Sequence, residues 1–173
     1  MPHRRTLAPV LAVAVAAGAA APAAAQPPGL IPTVSKIRTN GIGAFKTGMT
    51  RKQARKAAGT VYYVPSHVGN CTYWDFGPPG TGKGPTLRFH NGRLRYVDVA
   101  RKQFKTKRGV EVGDRVRKVK RKYHGLHRRT DLGGGYELVW KAHKGRLIFT
   151  IVNGKVSRIA GGTVPWVLQQ ECV

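Results

Sequence analysis

Two Asn-Gly pairs, Asn91-Gly92 and Asn153-Gly154, constrain this chain most. Each interrupts a stretch of alternating apolar and polar residues, LRFHNGRLRYVDV at 87–99 and FTIVNGKVSRIA at 149–160. A tight type I′ turn needs two consecutive residues with positive φ, which Asn and Gly tolerate best, so the pattern predicts two β-hairpins. Thr86 to His90 should pair with Arg93 to Val99, and Leu147 to Val152 with Lys155 to Ile159. Upstream of each hairpin stands a helix-like stretch, GMTRKQARKAAG at 48–59 and GDRVRKVKRKYHG at 113–125. The helical stretches are offset by 65 residues and the Asn-Gly pairs by 62, as an internal duplication would leave them.

The helical stretches carry their own punctuation. Thr50 followed by Gln53 makes a capping box, and Gly59 is a stop signal. In the second stretch Asp114 reads as the cap, with Val116, Val119 and Tyr123 on the apolar face and Gly125 at the end. Both helices are short, so they need a sheet to lie on. Further strands are expected at Cys71 to Phe76 and Tyr136 to His143, with Val61 to Val64 adding another. On the first of these, alternation puts Trp74 and Phe76 toward the core and Tyr73 and Asp75 on the other face. The fold class is therefore α+β: two tandem repeats, each a short helix followed by an antiparallel β-meander. The expected organisation is a signal peptide at 1–25, an extended leader at 26–40, repeat 1 at 41–100 and repeat 2 at 101–173.

The stretch FKTGMTRKQARKAAG resembles the motif that opens each half of the secreted β-lactamase inhibitor proteins. There a Gly-Met-Thr helix start, matched here by Gly48, Met49 and Thr50, precedes a small antiparallel sheet. The BamE-type outer-membrane lipoproteins share the single-repeat plan. TKRGVEVGDRVRKVKRKYHG with its following meander is similar to the second half of uncharacterised secreted bacterial proteins of this superfamily. The resemblance covers Gly41 to Ala160 and implies a fold; it transfers no binding residue. The inhibitors carry a disulfide within each half, and the BamE type a lipid-anchoring Cys; this chain has neither pattern.

The first residues, MPHRRTLAPVLAVAVAAGAAAPAAAQ, have the parts of a secretory signal: a basic start, an apolar run and small residues for cleavage after Ala25. The run is too short for a membrane span, so none is expected after cleavage. The remaining chain keeps +22 of the total +24 charge, because Arg4 and Arg5 leave with the leader. In an exported protein the two cysteines, Cys71 and Cys172, read as a disulfide. Closing about 100 residues would contribute roughly 4–5 kcal/mol by chain entropy.

Little in the sequence points to catalysis. Residues 77–84, GPPGTGKG, come within one residue of a phosphate-binding P-loop. Position 84 is Gly where a Ser or Thr would ligand magnesium, and Thr86 to His90 alternates like a strand where a helix should begin. It reads as a hairpin loop carrying Lys83. The seven acids are dispersed singly, no G-x-S-x-G occurs, and His124 and His127 are followed by Arg128 and Arg129, which repel a cation. A non-enzyme with no catalytic or metal-ligating residue and no cofactor is expected. The densest feature is a basic run whose candidate polyanion contacts are Lys102, Lys105, Lys107, Arg108, Arg117, Lys118, Arg121, Arg128 and Arg129. The expected function is an exported binding module that docks on an anionic cell-envelope polymer through a helix-side basic face. The alternative is a protein-binding module or secreted-enzyme inhibitor that uses an open sheet face, with Tyr73 and Tyr136 as candidate contacts.

Overall fold

The computed structural model describes residues 35–59, 63–77, 84–130 and 134–163. The signal segment, Lys83, Asp131, Glu171 and Cys172 lie outside them. Among the described residues the chain runs β1 (Lys36–Arg38), β2 (Gly41–Ile42), β3 (Phe45–Lys46), α1 (Arg51–Ala58), β4 (Tyr63–Val68), β5 (Cys71–Phe76), β6 (Thr86–His90) and β7 (Arg93–Val99). It continues through β8 (Lys105–Thr106), α2 (Val116–Lys122), β9 (His127–Thr130), β10 (Tyr136–Ala142), β11 (Gly145–Val152) and β12 (Lys155–Gly162). The large sheet has the order β4-β5-β6-β7-β12-β11-β10-β9, and each neighbouring pair is antiparallel. The strands therefore count outward in both directions from the β7–β12 contact.

Both Asn-Gly turns form as their chemistry requires. Asn91 and Gly92 have φ of 49° and 71°, and Asn153 and Gly154 have 50° and 70°. Each hairpin carries a register shift just before its turn, at Arg88/Phe89 and at Thr150/Ile151. Each hairpin also grips the start of its helix through the same three backbone bonds. Gly48 N donates to Leu94 O, Leu94 N to Met49 O, and Arg51 N to Gly92 O. In the second half Gly113 N donates to Val156 O, Val156 N to Asp114 O, and Val116 N to Gly154 O.

The helices differ in how they begin. Thr50 caps α1: its hydroxyl accepts from Gln53 N at 3.2 Å, and Gln53 Oε1 accepts from Thr50 N at 2.9 Å. Gly59, at φ 59°, ends it. Asp114 does not cap α2. The cap position is Arg115, without a side-chain bond, and Asp114 Oδ2 instead accepts from Glu111 N at 2.8 Å and pairs with Lys118 Nζ at 2.7 Å. The acid closes the turn before the helix, because the backbone bond from Val156 already holds its own carbonyl. The helix stops at Lys122, where Tyr123 turns extended, before Gly125 is reached.

One face of the large sheet carries Trp74, Leu87, Phe89, Val97, Val99, Leu138, Phe149 and Ile159, all buried. Ala54 and Ala58 of α1 and Val119 of α2 pack on the same core. Against β7 and β12 sits a second sheet, β3-β2-β1-β8, which contributes Ile37, Ile42 and Phe45. The fold is thus two layers, α+β and mostly strand. The segment 26–40, expected as a leader, contains β1 at its end, with Ile37 fully buried. β1 comes so close to β12 that a Cβ on Gly161 would stand 2.1 Å from Arg38 O. His127 to Thr130 forms an edge strand of the large sheet, paired to β10.

Two substitutions test this packing. Thr50→Ala should cost about 1 kcal/mol through loss of the cap. Gly161→Ala meets a backbone oxygen that cannot swing away, and should cost about 1–3 kcal/mol. Urea unfolding ranks them; a Gly161→Ala protein as stable as the parent would contradict the close passage of β1 over β12.

Candidate functional site

The outer layer carries the charge. In α1, Ala54 and Ala58 turn inward, which leaves Arg51, Lys52, Arg55 and Lys56 exposed. In α2, Val119 turns inward and Arg117, Lys120, Arg121 and Lys122 are exposed, with Lys118 half-buried. Neither helix contains an acid. The acids nearest α2 in sequence are each engaged: Asp114 with Lys118, and Glu111 with Lys105 at 3.7 Å.

The nine basic candidates do not all share this surface. Lys102, Lys105 and Lys107 are exposed around β8, beside the helices. Arg108 is fixed in place: Nη1 donates to Lys122 O at 2.7 Å, and its guanidinium lies 5.0 Å from the Tyr123 ring centre and 4.8 Å from that of Trp140. Arg128 lies opposite Leu138 on β9, on the core side, and covers the Tyr136 ring at 4.1 Å. Arg129 is its neighbour, so alternation puts it on the opposite sheet face, level with Glu137. The sequence reading missed the α1 cations, although the inward spacing of Ala54, Ala57 and Ala58 leaves them nowhere to point but outward.

The two tyrosines also part company. Tyr136 packs against the main core, on the face of Leu138 and Trp140. Tyr73 is on the other face, where Arg88 lies between two rings, 4.8 Å from Tyr73 and 4.6 Å from Tyr96. Trp74 and Phe76 are core residues as alternation implies. Cys71 is buried and no described cysteine is free; Cys172 lies outside the described residues.

The open face also gathers acids that are scattered in the sequence. Asp75, Thr86 and Asp98 form one row across β5, β6 and β7, and Thr86 Oγ1 donates to Asp75 Oδ1 at 2.6 Å. Asp98 pairs with Arg158 at 3.3 Å. Burial nevertheless pushes the Asp98 carboxyl up to about 6, against the opposing pull of Arg158 and Arg88 and with some help from Asp75. Burial likewise raises the Tyr96 phenol above its usual range, with Asp98 adding to the effect. Among the described residues no three His, Cys, Asp or Glu side chains gather as metal ligands, and no helix is long and apolar enough to cross a membrane. The loop 77–84 joins antiparallel neighbours, with Phe76 N donating to Pro85 O at 3.1 Å, so a strand follows it where a P-loop would start a helix. Residues 78–83 themselves lie outside the described set.

These features define a class: an α+β protein in which, among the described residues, the helices and the small sheet cover one face of the large sheet, while the other face buries a second cluster of Tyr96, Val139, Ile148 and Ala160. No family model matches the chain, and no curated protein matches it. Two solved structures share the fold. One is the uncharacterized protein yfeY from Escherichia coli, at 14% identity and TM-score 0.51, covering 73% of this chain and 99% of that one. The other is an extracellular protein containing a SCP domain from Bacillus anthracis, at 9% identity and TM-score 0.51, covering 72% of this chain and 46% of that one. This likeness speaks to fold alone. It does not carry the narrower resemblance to β-lactamase inhibitor proteins or BamE-type lipoproteins.

The buried carboxyl gives a pH test. A carboxyl raised in the folded state favours folding while protonated, so its contribution is lost as pH rises from about 4 through about 6. Asp98→Asn removes that titration. The stability of the parent relative to the variant should fall by up to about 3 kcal/mol between pH 4 and pH 7.5. Denaturant midpoints that track each other across this range would contradict the burial-driven shift.

Proposed function

We propose that this chain is an exported, non-catalytic binding module that docks on an anionic cell-envelope polymer through its helix-side face. The observation that carries the reading is the charge on the two helices: nine cations and no acid, seated on one side of one sheet. Arg55, Lys56, Lys120, Arg121 and Lys122 stand in last turns, where cations suit the helix dipole, but the placement and spacing of the charges otherwise work against the helices. Arg51 and Lys52 sit at the positive end of the α1 dipole, where cations are unfavourable. Arg51 and Arg55, Lys52 and Lys56, Arg117 and Arg121, and Lys118 and Lys122 are like charges one turn apart, each pair costing a few tenths of a kcal/mol. A polyanion laid across the face relieves that repulsion and gives up counterions in the process.

Export by a signal cleaved after Ala25, and a Cys71–Cys172 disulfide, belong to the same proposal. So does descent of the two halves from one duplicated unit, for which the matched helix-to-hairpin bonds are the support. A second reading places a protein partner on the open face. It would use Tyr73, half-buried and seated on the buried Arg88 and Tyr96, a residue type enriched in interface hot spots.

Retention on heparin and on immobilised polyphosphate separates the two. Binding should weaken steeply between about 50 mM and about 0.5 M salt. Replacing Arg117, Lys120 and Arg121 by Gln should lower affinity at least about tenfold and flatten the salt dependence, by up to about 0.9 in log-log slope per lost contact. Arg129→Gln, on the other face, should change neither. Salt-insensitive binding, or a loss seen only with Arg129→Gln, would overturn the helix-side reading.

A further inference from the structure

A cavity of about 450 Å³ opens where β1, the β8 loop and the ends of β10 and β11 meet beside the C-terminus of α2. That volume is within the range of about 300–1,000 Å³ usual for small-ligand sites. Its lining is divided by chemistry. Trp140, Ala142 and Leu147 supply an apolar wall, with Trp140 and Leu147 a cross-strand pair. Arg38, Lys107 and Arg108 supply cations, and no acid is among the described residues of the lining.

Arg51 and Arg55 of α1 have side-chain bonds to Thr72 and Tyr63; the central cation of the cavity is held against two rings as well as by a hydrogen bond. The Arg108 guanidinium is bonded to Lys122 O and packs against both Tyr123 and Trp140, whose rings meet edge-on at 5.1 Å. A guanidinium fixed by a carbonyl and two rings loses little further freedom on meeting an anion, and its remaining N–H groups present a fork suited to a tetrahedral oxyanion. The helix lysines and arginines can attract any polyanion. A fixed arginine beside a tryptophan and an aliphatic wall can tell a bare anion from one carried on a ring with an apolar face.

We propose that this cavity receives a single sugar unit of the polyanion, its phosphate or sulfate ester on Arg108 and Lys107 and its ring against Trp140 and Leu147. The proposal rests on the polyanion reading above and deepens it: the polymer would be an anionic glycan, recognised unit by unit, and not a bare chain of charges.

The test uses the full chain, with glucose 6-phosphate, glucosamine 6-sulfate and inorganic phosphate as soluble probes and polyphosphate as the sugar-free polymer. The readout is the Trp140 indole N–H resonance, assigned by its loss in Trp140→Phe. A sugar ester should shift it at least about tenfold more tightly than inorganic phosphate, and the better of the two esters identifies the source chemistry. Arg108→Gln should abolish the shift, and Trp140→Phe should weaken heparin binding while leaving polyphosphate binding unchanged. Equal affinity for sugar ester and phosphate, or no response of Trp140 while polyphosphate still binds, overturns the cavity and leaves the basic face standing. A Trp140 response without polyphosphate or heparin binding overturns the polymer reading and leaves the cavity. Unchanged folding of each variant is checked by its urea midpoint.

Discussion

The antiparallel contact between β7 and β12 is the join on which the rest depends. Val99 faces Ile159, Asp98 faces Ala160, Val97 faces Gly161 and Tyr96 faces Gly162. Two meanders that would each be a marginal four-stranded sheet become one continuous surface. Its register puts Val97, Val99 and Ile159 on the same side, so the apolar stripes of both halves merge into a single core. The glycines on β12 leave room above the join. Without a Cβ at Gly161, the Arg38 carbonyl reaches the sheet, and the small sheet settles over the join.

That geometry sorts the charge. Once one face is committed to the core, both helices must lie on it, and everything polar on them must point away from it. The acids went elsewhere. Asp75, Asp98 and Glu137 lie on the opposite face, in the company of Arg88 and Arg158, while Glu111 and Asp114 are spent on local pairs. The two helices thereby present cations on the core-covering side with no acid of their own. Long-range attraction would bring a polyanion to that side first.

Much of this arrangement was legible because certain residues have few alternatives. Asn-Gly pairs admit one hairpin turn, Thr50 with Gln53 admits one helix start, and alternation from Cys71 to Phe76 gives the strand and its inward face together. The parts that were not legible lack such constraints. β1, β2, β3 and β8 are two or three residues long, too short for any period to show. β9 reads HRRT, polar throughout, because an edge strand needs no apolar alternation and is protected by charge. Tyr136 was placed on the wrong face although alternation along YELVWKA already sets it with Leu138 and Trp140, and its pairing with Ile151 agrees. The Asp114 assignment failed since the helix begins one residue later than its acid suggests. For the candidate site, the basic run was visible as composition, but its separation across two faces, and the seat of Arg108 on Trp140, depend on strands far apart in sequence.

A partner meets one side of the sheet or the other, and lysine reactivity reads which directly. Acetylation of the native protein, with and without heparin, reports each lysine by mass spectrometry. Lys52, Lys56, Lys120 and Lys122 should be shielded by the polyanion, while Lys141, on the sheet face away from the helices, should react as before. Shielding of Lys141 with the helix lysines left reactive would place the partner on the open face and contradict the account.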